Sequence, residues 1–231
     1  RGGQHQALET KEKLKLSQDN RSMASVTFQT LFRMFPKMSG MSGTIVDAAP
    51  ELWDIYHTDV VVIPPNKPVQ RNDLEDMYFA NKEEQFSAAM ETAIAIHRTG
   101  QPVLIVVTTI PETEMASNYL VQANVSHSVL NANNAFWEAE IIKEAGQMNA
   151  VTVSTGMAGR GTDIRLGAGV KELGGLAVVG IGRMGNIRQE RQARGRAGRQ
   201  GDPGISRFFV SLQDGVVEDN GPSDLNKYIE R

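Results

Sequence analysis

Three short runs rich in β-branched residues constrain the fold most: 102–107 (PVLIVV), 150–154 (AVTVS) and 176–181 (LAVVGI). Runs of this kind belong inside a sheet that is covered on two sides. Stretches with helical spacing lie between them. Residues 81–98 put Phe86, Ala89, Met90, Ala93 and Ile94 on or near one face and stop at Gly100. Pro111 opens a second helix to about 122, with Glu112 and Glu114 at its positive end. The pattern predicts further helices over 134–146 and 186–196, and further strands over 77–80, 127–130 and 206–212. This alternation predicts βαβ units, hence an α/β fold: a parallel sheet with helices on both faces.

The N-terminal part reads differently. Residues 1–20 are polar, carry a KEKLK cluster and predict an extended connector. Val26, Phe28, Leu31, Phe32 and Phe35 sit near helical spacing within 22–35, with Ser22 or Ser25 as N-cap and Pro36 as stop. MSGMSGT (38–44) is a turn cluster, and DVVVIPP (59–65) predicts a short buried strand closed by prolines.

The chain has 231 residues, 40% hydrophobic and 22% charged, which excludes wholesale disorder and fits one domain with appendages or two small ones. The absence of cysteine excludes disulfides, thiolate metal sites and cysteine nucleophiles, and fits a reducing compartment. No apolar run approaches the ~20 residues of a spanning helix. The polar start without an initiator Met predicts a cut inside a longer protein.

Net charge is −3, but the arginines are concentrated. Arg183, Arg188, Arg191, Arg194, Arg196 and Arg199 face a single acid in their span, Glu190, so the segment is aimed at an anion. Residues 213–231 lean acidic, with Asp214, Glu218, Asp219, Asp224 and Glu230.

Two motifs carry chemistry. In VTVSTGMAGRGTDIRLG (151–167) a strand runs into a loop with Gly156, Gly159 and Gly161, expected beyond the carboxyl ends of the strands. Glycines let backbone N–H groups approach a phosphate, Arg160 adds charge, and Asp163 suits a ribose hydroxyl or a bridging water. The alternative is a glycine-rich turn in which Asp163 caps the next segment. In RQARGRAGRQGDPG (191–204), Arg196 and Arg199 lie three apart on the predicted helix end, where they share a face and can clamp a terminal phosphate. Arg194 points elsewhere and suits a structural role. The alternative, a solvated basic helix, loses ground once the glycine loop belongs to the same sheet. No GxxxxGK[ST] loop is present, nor a strand ending in paired acids, so the chain holds at most half of an ATP site.

The other candidates are bland. His5, His57, His97 and His127 show no ligand spacing. Trp53, Trp137, Tyr56, Tyr119 and Phe136 read as core or interface aromatics without a basic track. Met34, Met38, Met41, Met157 and Met184 could form a pliable partner surface, but read first as core filling. No GxSxG elbow supports a hydrolase.

With these residues in view, the chain resembles the SecA family of bacterial protein-export ATPases. The stretches GQHQALETKE, MASVTFQTLFRMFPKMSGMSGT, YHTDVVVIPPNKPVQRND, TGQPVLIVVTT, VLNANN, MAGRGTDI, LGGLAVVG and GRAGRQGDPG carry the likeness over nearly the whole chain. The resemblance implies a motor with two RecA-like domains and ATP or ADP between them, Mg²⁺ being held mainly by the phosphate-loop domain, which is mostly absent from this chain. It implies that 1–20 leaves the preprotein cross-linking domain, 21–66 ends the first nucleotide-binding domain, 67–212 forms the second, and 213–231 begins a scaffold region or a disordered tail. It implies arginine fingers at Arg196 and Arg199, and nucleotide contacts at Gly159, Arg160, Gly161, Asp163 and Gln200. The implied partners are the rest of the motor chain, a SecY-type translocon, unfolded preprotein and an anionic membrane surface, with nucleic acid disfavoured. The implied location is cytoplasmic and peripheral on the inner face of the membrane. Gly156, Gly182, Met184 and Ile187 stand where the family usually has Asn, Glu, His and Arg, which implies an accessory-type member. Two further readings stay open: the second domain of an RNA or DNA helicase, and an interaction module that has lost its chemistry.

Overall fold

The computed structural model describes residues 3–15, 24–131, 137–156 and 161–221. The chain divides into two compact units. The first joins the residues up to Ser42 to Asp47–Val60 and carries three short helices. These are α1 (Gln4–Lys11), α2 (Phe28–Arg33) and α3 (Ala49–Tyr56). Thr27 caps α2 by accepting from the Thr30 N–H at 3.2 Å. The Phe28 and Phe32 rings stack one turn apart, and both remain largely exposed.

The second unit, Gly43–Val46 with Val61 onward, holds the sheet. Its elements in chain order are β1 (Gln70–Asp73), β2 (Met77–Phe79), α4 (Lys82–His97), β3 (Val103–Val107), α5 (Ile110–Gln122) and β4 (Ser128–Leu130). Then follow α6 (Glu138–Glu144), β5 (Val151–Thr155), β6 (Leu176–Ile181), α7 (Ile187–Arg194), β7 (Pro203–Ser211) and α8 (Gly215–Asn220). The strand order is β1-β7-β6-β3-β5-β4, with β2 also on β7, and every pairing is parallel. Val103 lies opposite Val151 on one side and Ala177 on the other.

Alternation along β3 builds two cores, one on each face. Val103, Ile105 and Val107 join Met90, Ala93, Leu120 and Phe209 under α4 and α5. Leu104 and Val106 join Ile142, Val178, Ala193 and Phe208 under α6 and α7. The helices start where their caps stand. Asn81 accepts from Glu84 N–H at 2.9 Å, Thr109 and Glu112 form a reciprocal capping box, and Asn186 accepts from Gln189 N–H at 2.9 Å. The α/β expectation therefore holds, with parallel strands and helices on both faces.

Several local expectations do not hold. The connector over 1–20 contains α1, because Gln, Ala, Leu, Glu and Lys favour helix even without an apolar period. The helix over 22–35 is shorter and is capped by Thr27, not by Ser22 or Ser25. Residues 59–65 form no strand: Val61, Val62 and Ile63 are 79%, 68% and 83% exposed, and no strand of the sheet pairs with them. The polar segment Gln70–Asp73 takes the edge place instead, held by main-chain pairing to β7. The helix over 186–196 ends at Arg194, so Arg196 and Arg199 do not share a helical face. Of the five methionines, Met34, Met38 and Met41 are exposed and Met184 is in the core, while Met157 lies outside the described residues. Trp53 and Trp137 are more than half exposed, Tyr119 packs edge-on to Phe86, and Phe136 lies outside the described residues. Among the described residues no helix is long and apolar enough to cross a membrane.

Candidate functional site

The site begins with a short turn. After α7 the chain passes through Gly195, Arg196 and Ala197 to Gly198, which has φ +70°, and then makes a single 3₁₀ turn over Arg199–Gly201. A side chain at Gly198 would be strained by that backbone, and its Cβ would lie 2.5 Å from the Cβ of Arg71 on β1. Gln200 also adopts a left-handed conformation, at φ 57°, which costs a non-glycine residue about 1–2 kcal/mol. Strain of this kind gathers at functional sites.

This turn, with the segment ahead of β1, encloses a cavity of about 470 Å³. Lys67 and Arg199 bring positive charge to its wall, Asp163 brings the one carboxylate, and Gly198, Gln200 and Gly201 bring main chain. Residues 65–69 precede β1 and residues 198–201 precede β7, so the cavity lies at the amino ends of these strands. The sequence places the glycine loop beyond the carboxyl ends of the strands; its residue Asp163 instead lines this cavity at the amino ends. The glycine loop leaves β5 at its carboxyl end, but by Gly167 it has returned to donate to the Gly146 carbonyl, ahead of β5. That return carries Asp163 to the opposite end of the sheet.

Arg199 joins the loop to the turn. Its Nη1 donates to Asp163 Oδ1 at 3.0 Å and to the Thr162 carbonyl at 3.2 Å, and its Nε donates to the Gly195 carbonyl at 2.9 Å. In sequence Asp163 suits a ribose hydroxyl or a bridging water; here it accepts from Arg199. Asp163, Arg199 and Gln200 thus meet in one cavity. Gly161 lies at the described start of the loop with φ 86°. Gly159 and Arg160 lie outside the described residues. Arg196 is only 9% exposed and is not on the cavity wall. Burial and the nearby charge of Arg199 hold its pKa below the ordinary guanidinium value, against the opposing pull of Glu138.

Sequence reasoning missed the group behind the turn. Arg194 Nη2 donates to Asp76 Oδ1 at 2.6 Å and to Glu190 Oε1 at 3.0 Å. Arg183 Nη1 reaches the second oxygens of the same two acids, at 3.2 and 2.8 Å. Burial lowers the pKa of both arginines, yet the hydrogen bonds to the acids outweigh it and leave both raised. The i, i+4 spacing of Glu190 and Arg194 was a readable signal. Asp76 had none, being 118 positions from Arg194.

The donor set suits a phosphate: one planar guanidinium, one ammonium and the main chain of a tight turn. It does not suit a magnesium ion. The cavity offers a single carboxylate, already paired with arginine, and no group of three metal-ligating side chains occurs among the described residues. The scattered histidines do not gather either; His127 Nε2 meets Ser117 Oγ at 2.7 Å, away from this cavity.

Comparison with known proteins points to one family. The SecA P-loop domain matches residues 68–173 and 168–231, and the SecA DEAD-like domain matches 3–53. The chain is 50% identical over 226 residues to protein translocase subunit SecA 2 of Streptococcus sanguinis, covering 98% of this chain and 28% of that protein. It is 48% identical over 229 residues to protein translocase subunit SecA of Christiangramia forsetii, covering 99% of this chain and 20% of that protein. The chain thus spans between a fifth and a third of the length of these curated relatives. Among solved structures, S. cerevisiae Dbp5 bound to RNA and ADP BeF3 aligns with a TM-score of 0.56 at 17% identity. That alignment covers 87% of this chain and 52% of Dbp5, and it describes the shared fold.

Proposed function

Since the chain belongs to the SecA family, we propose that it is the arginine-bearing half of an ATP-driven protein-translocation motor. The single observation behind this reading is the meeting of Arg199, Asp163 and the strained Gln200 turn in one cavity of about 470 Å³. The nucleotide would be completed by a phosphate-loop domain outside this chain, which would also hold Mg²⁺, since the residues here do not fit the ion.

In this reading residues 67–212 are the second nucleotide-binding domain. Residues 21–66 end the first, 1–20 leave the cross-linking domain, and 213–231 lead into the scaffold. ATP between the two domains draws them together. Arg199 then leaves Asp163 for the transferring phosphoryl group, and Asp163 is released toward the nucleotide. Arg196, buried beside the turn, acts as the second finger once closure exposes it. Fingers of this type contribute about 10³–10⁵ in rate. The partners are a SecY-type translocon, unfolded preprotein and an anionic membrane surface, with the motor cytoplasmic and peripheral at the membrane. The accessory-type reading rests on the departures from the family pattern at 156, 182, 184 and 187; of these, Gly182 has φ +84°, a backbone that favours glycine.

The test is steady-state ATPase of the full-length protein, alone, with single-stranded RNA, and with translocon-bearing membranes plus an unfolded exported protein. Stimulation only in the third condition supports the motor. Stimulation by RNA instead would overturn it in favour of a helicase.

A further inference from the structure

Arg194, Asp76, Glu190 and Arg183 form a closed ring in which each arginine bridges both acids. The ring is drawn from four places: the bend between β1 and β2, the loop after β6, and two turns of α7. The side chains of Asp76, Glu190 and Arg194 are 14%, 11% and 13% exposed, so these three are sheltered from screening, while Arg183, at 28%, forms the more open side of the ring. Arg194 is held in two more ways. Its guanidinium lies over the Phe208 ring, 4.5 Å from the centroid, and its Nη1 donates to Ser206 Oγ at 3.1 Å. Phe208 can lie there because its partner across the ladder, Gly180, has no side chain; a Cβ at 180 would overlap the ring.

The consequence lies one residue further along. Gly195 follows Arg194, and its carbonyl accepts from Arg199 Nε. A second tether acts beyond it, where Arg71 Nη1 donates to the Ala197 carbonyl at 3.3 Å. Arg71 is itself fixed by two bonds to Asp73, at 2.6 and 2.8 Å, and Asp73 accepts from Ser206 Oγ at 2.5 Å. The peptide between these tethers carries Arg196 and aims Arg199.

We infer that Arg194 and its acid partner Asp76 are positioning residues for Arg199: through the Gly195 carbonyl they set the direction of the finger without touching nucleotide. This rests on the proposed function, in which Arg199 acts on the phosphoryl group. It divides the three arginines of RGRAGR by task, with Arg194 facing the sheet and Arg199 facing the cavity.

The experiment is a double-mutant cycle on the full-length protein, reading kcat and KM for ATP. Asp76→Asn keeps the shape and leaves Glu190 on Arg194. It is expected to lower kcat roughly ten-fold with KM unchanged, as loss of orientation does. In an Arg199→Ala background it is expected to lower kcat no further, a result that a purely structural role would not produce. Arg194→Lys keeps the charge and loses the planar fork, and is expected to behave like Asp76→Asn. It serves as the second variant should Asp76→Asn fold poorly. Equal losses in both backgrounds, or no loss from either variant while Arg199→Ala is impaired, would overturn the positioning role alone. Full turnover in Arg199→Ala by itself would overturn the underlying reading of the site.

Discussion

Arg199 and Asp163, 36 positions apart, meet at 3.0 Å and join the glycine loop to the arginine turn. Both side chains are about one-third exposed, at 34% and 36%, so the pair contributes little to stability, on the order of 0–1 kcal/mol. Its importance lies in what each partner does when the other leaves. Asp163→Ala is expected to leave the thermal midpoint nearly unchanged while weakening ADP binding to the full-length protein. Scanning calorimetry checks the first and titration calorimetry the second, and an unchanged ADP affinity would remove Asp163 from the site.

Arg199→Ala in the full-length protein is expected to lower kcat by about 10³ or more. Arg199→Lys is expected to recover only a small part, because a point charge does not reproduce the fork. Pre-steady-state phosphate release would read both. The 231-residue chain by itself is expected to turn over no ATP, since it carries no phosphate loop. Turnover that disappears in Arg199→Ala would contradict this.

Gly198→Ala tests the turn directly. At φ +70°, with the Arg71 Cβ only 2.5 Å from the added methyl, the substitution is expected to destabilise by about 2–4 kcal/mol. Urea unfolding gives the value. Full stability would mean that the turn is looser than described.

Asp73 makes the edge of the sheet sensitive to acid. The hydrogen bonds from Arg71 hold its carboxyl below the ordinary carboxylate value, against partial desolvation and with help from Ser206. A depressed folded-state pKa means that stabilisation is complete above the unfolded-state value and is lost as pH falls through the folded-state value. Asp73→Asn is therefore expected to lower the melting temperature at pH 7 and to make little difference near about pH 2. A constant difference between the two across that range would show that the charge is not responsible.

Much of the fold was legible because burial and main-chain geometry leave local marks. β6 runs over Leu176–Ile181 as its apolar composition predicts, and α4 starts after Asn81 because that side chain caps it. The edge strand Gln70–Asp73 was not legible, since its side chains are polar and only pairing with β7 makes it a strand. Val61, Val62 and Ile63 misled for the converse reason: their composition favours a strand, but no ladder partner exists for them among the described residues.

The candidate site divides in the same way. Residue types and glycine spacing singled out Asp163 and Arg199, because the chemistry of phosphate binding restricts both, and the family resemblance added Gln200. Tertiary structure decided which end of the sheet they occupy, since the loop after β5 runs back so that Asp163 meets Arg199 and, four residues on, Gly167 donates to the Gly146 carbonyl. It also decided the different surroundings of Arg194, Arg196 and Arg199: the sequence set Arg194 apart as structural, but Arg196 and Arg199 read alike, and of the three only Arg199 lines the cavity. Besides Glu190 on its own helix, Arg194 is held by Asp76, Ser206 and Phe208, groups supplied by other strands and loops. A sequence by itself determines what can form a strand, a cap or an anion contact, because those depend on near neighbours. Which guanidinium is neutralised and which is left to face a ligand depends on distant groups that only the folded sheet brings within hydrogen-bond reach.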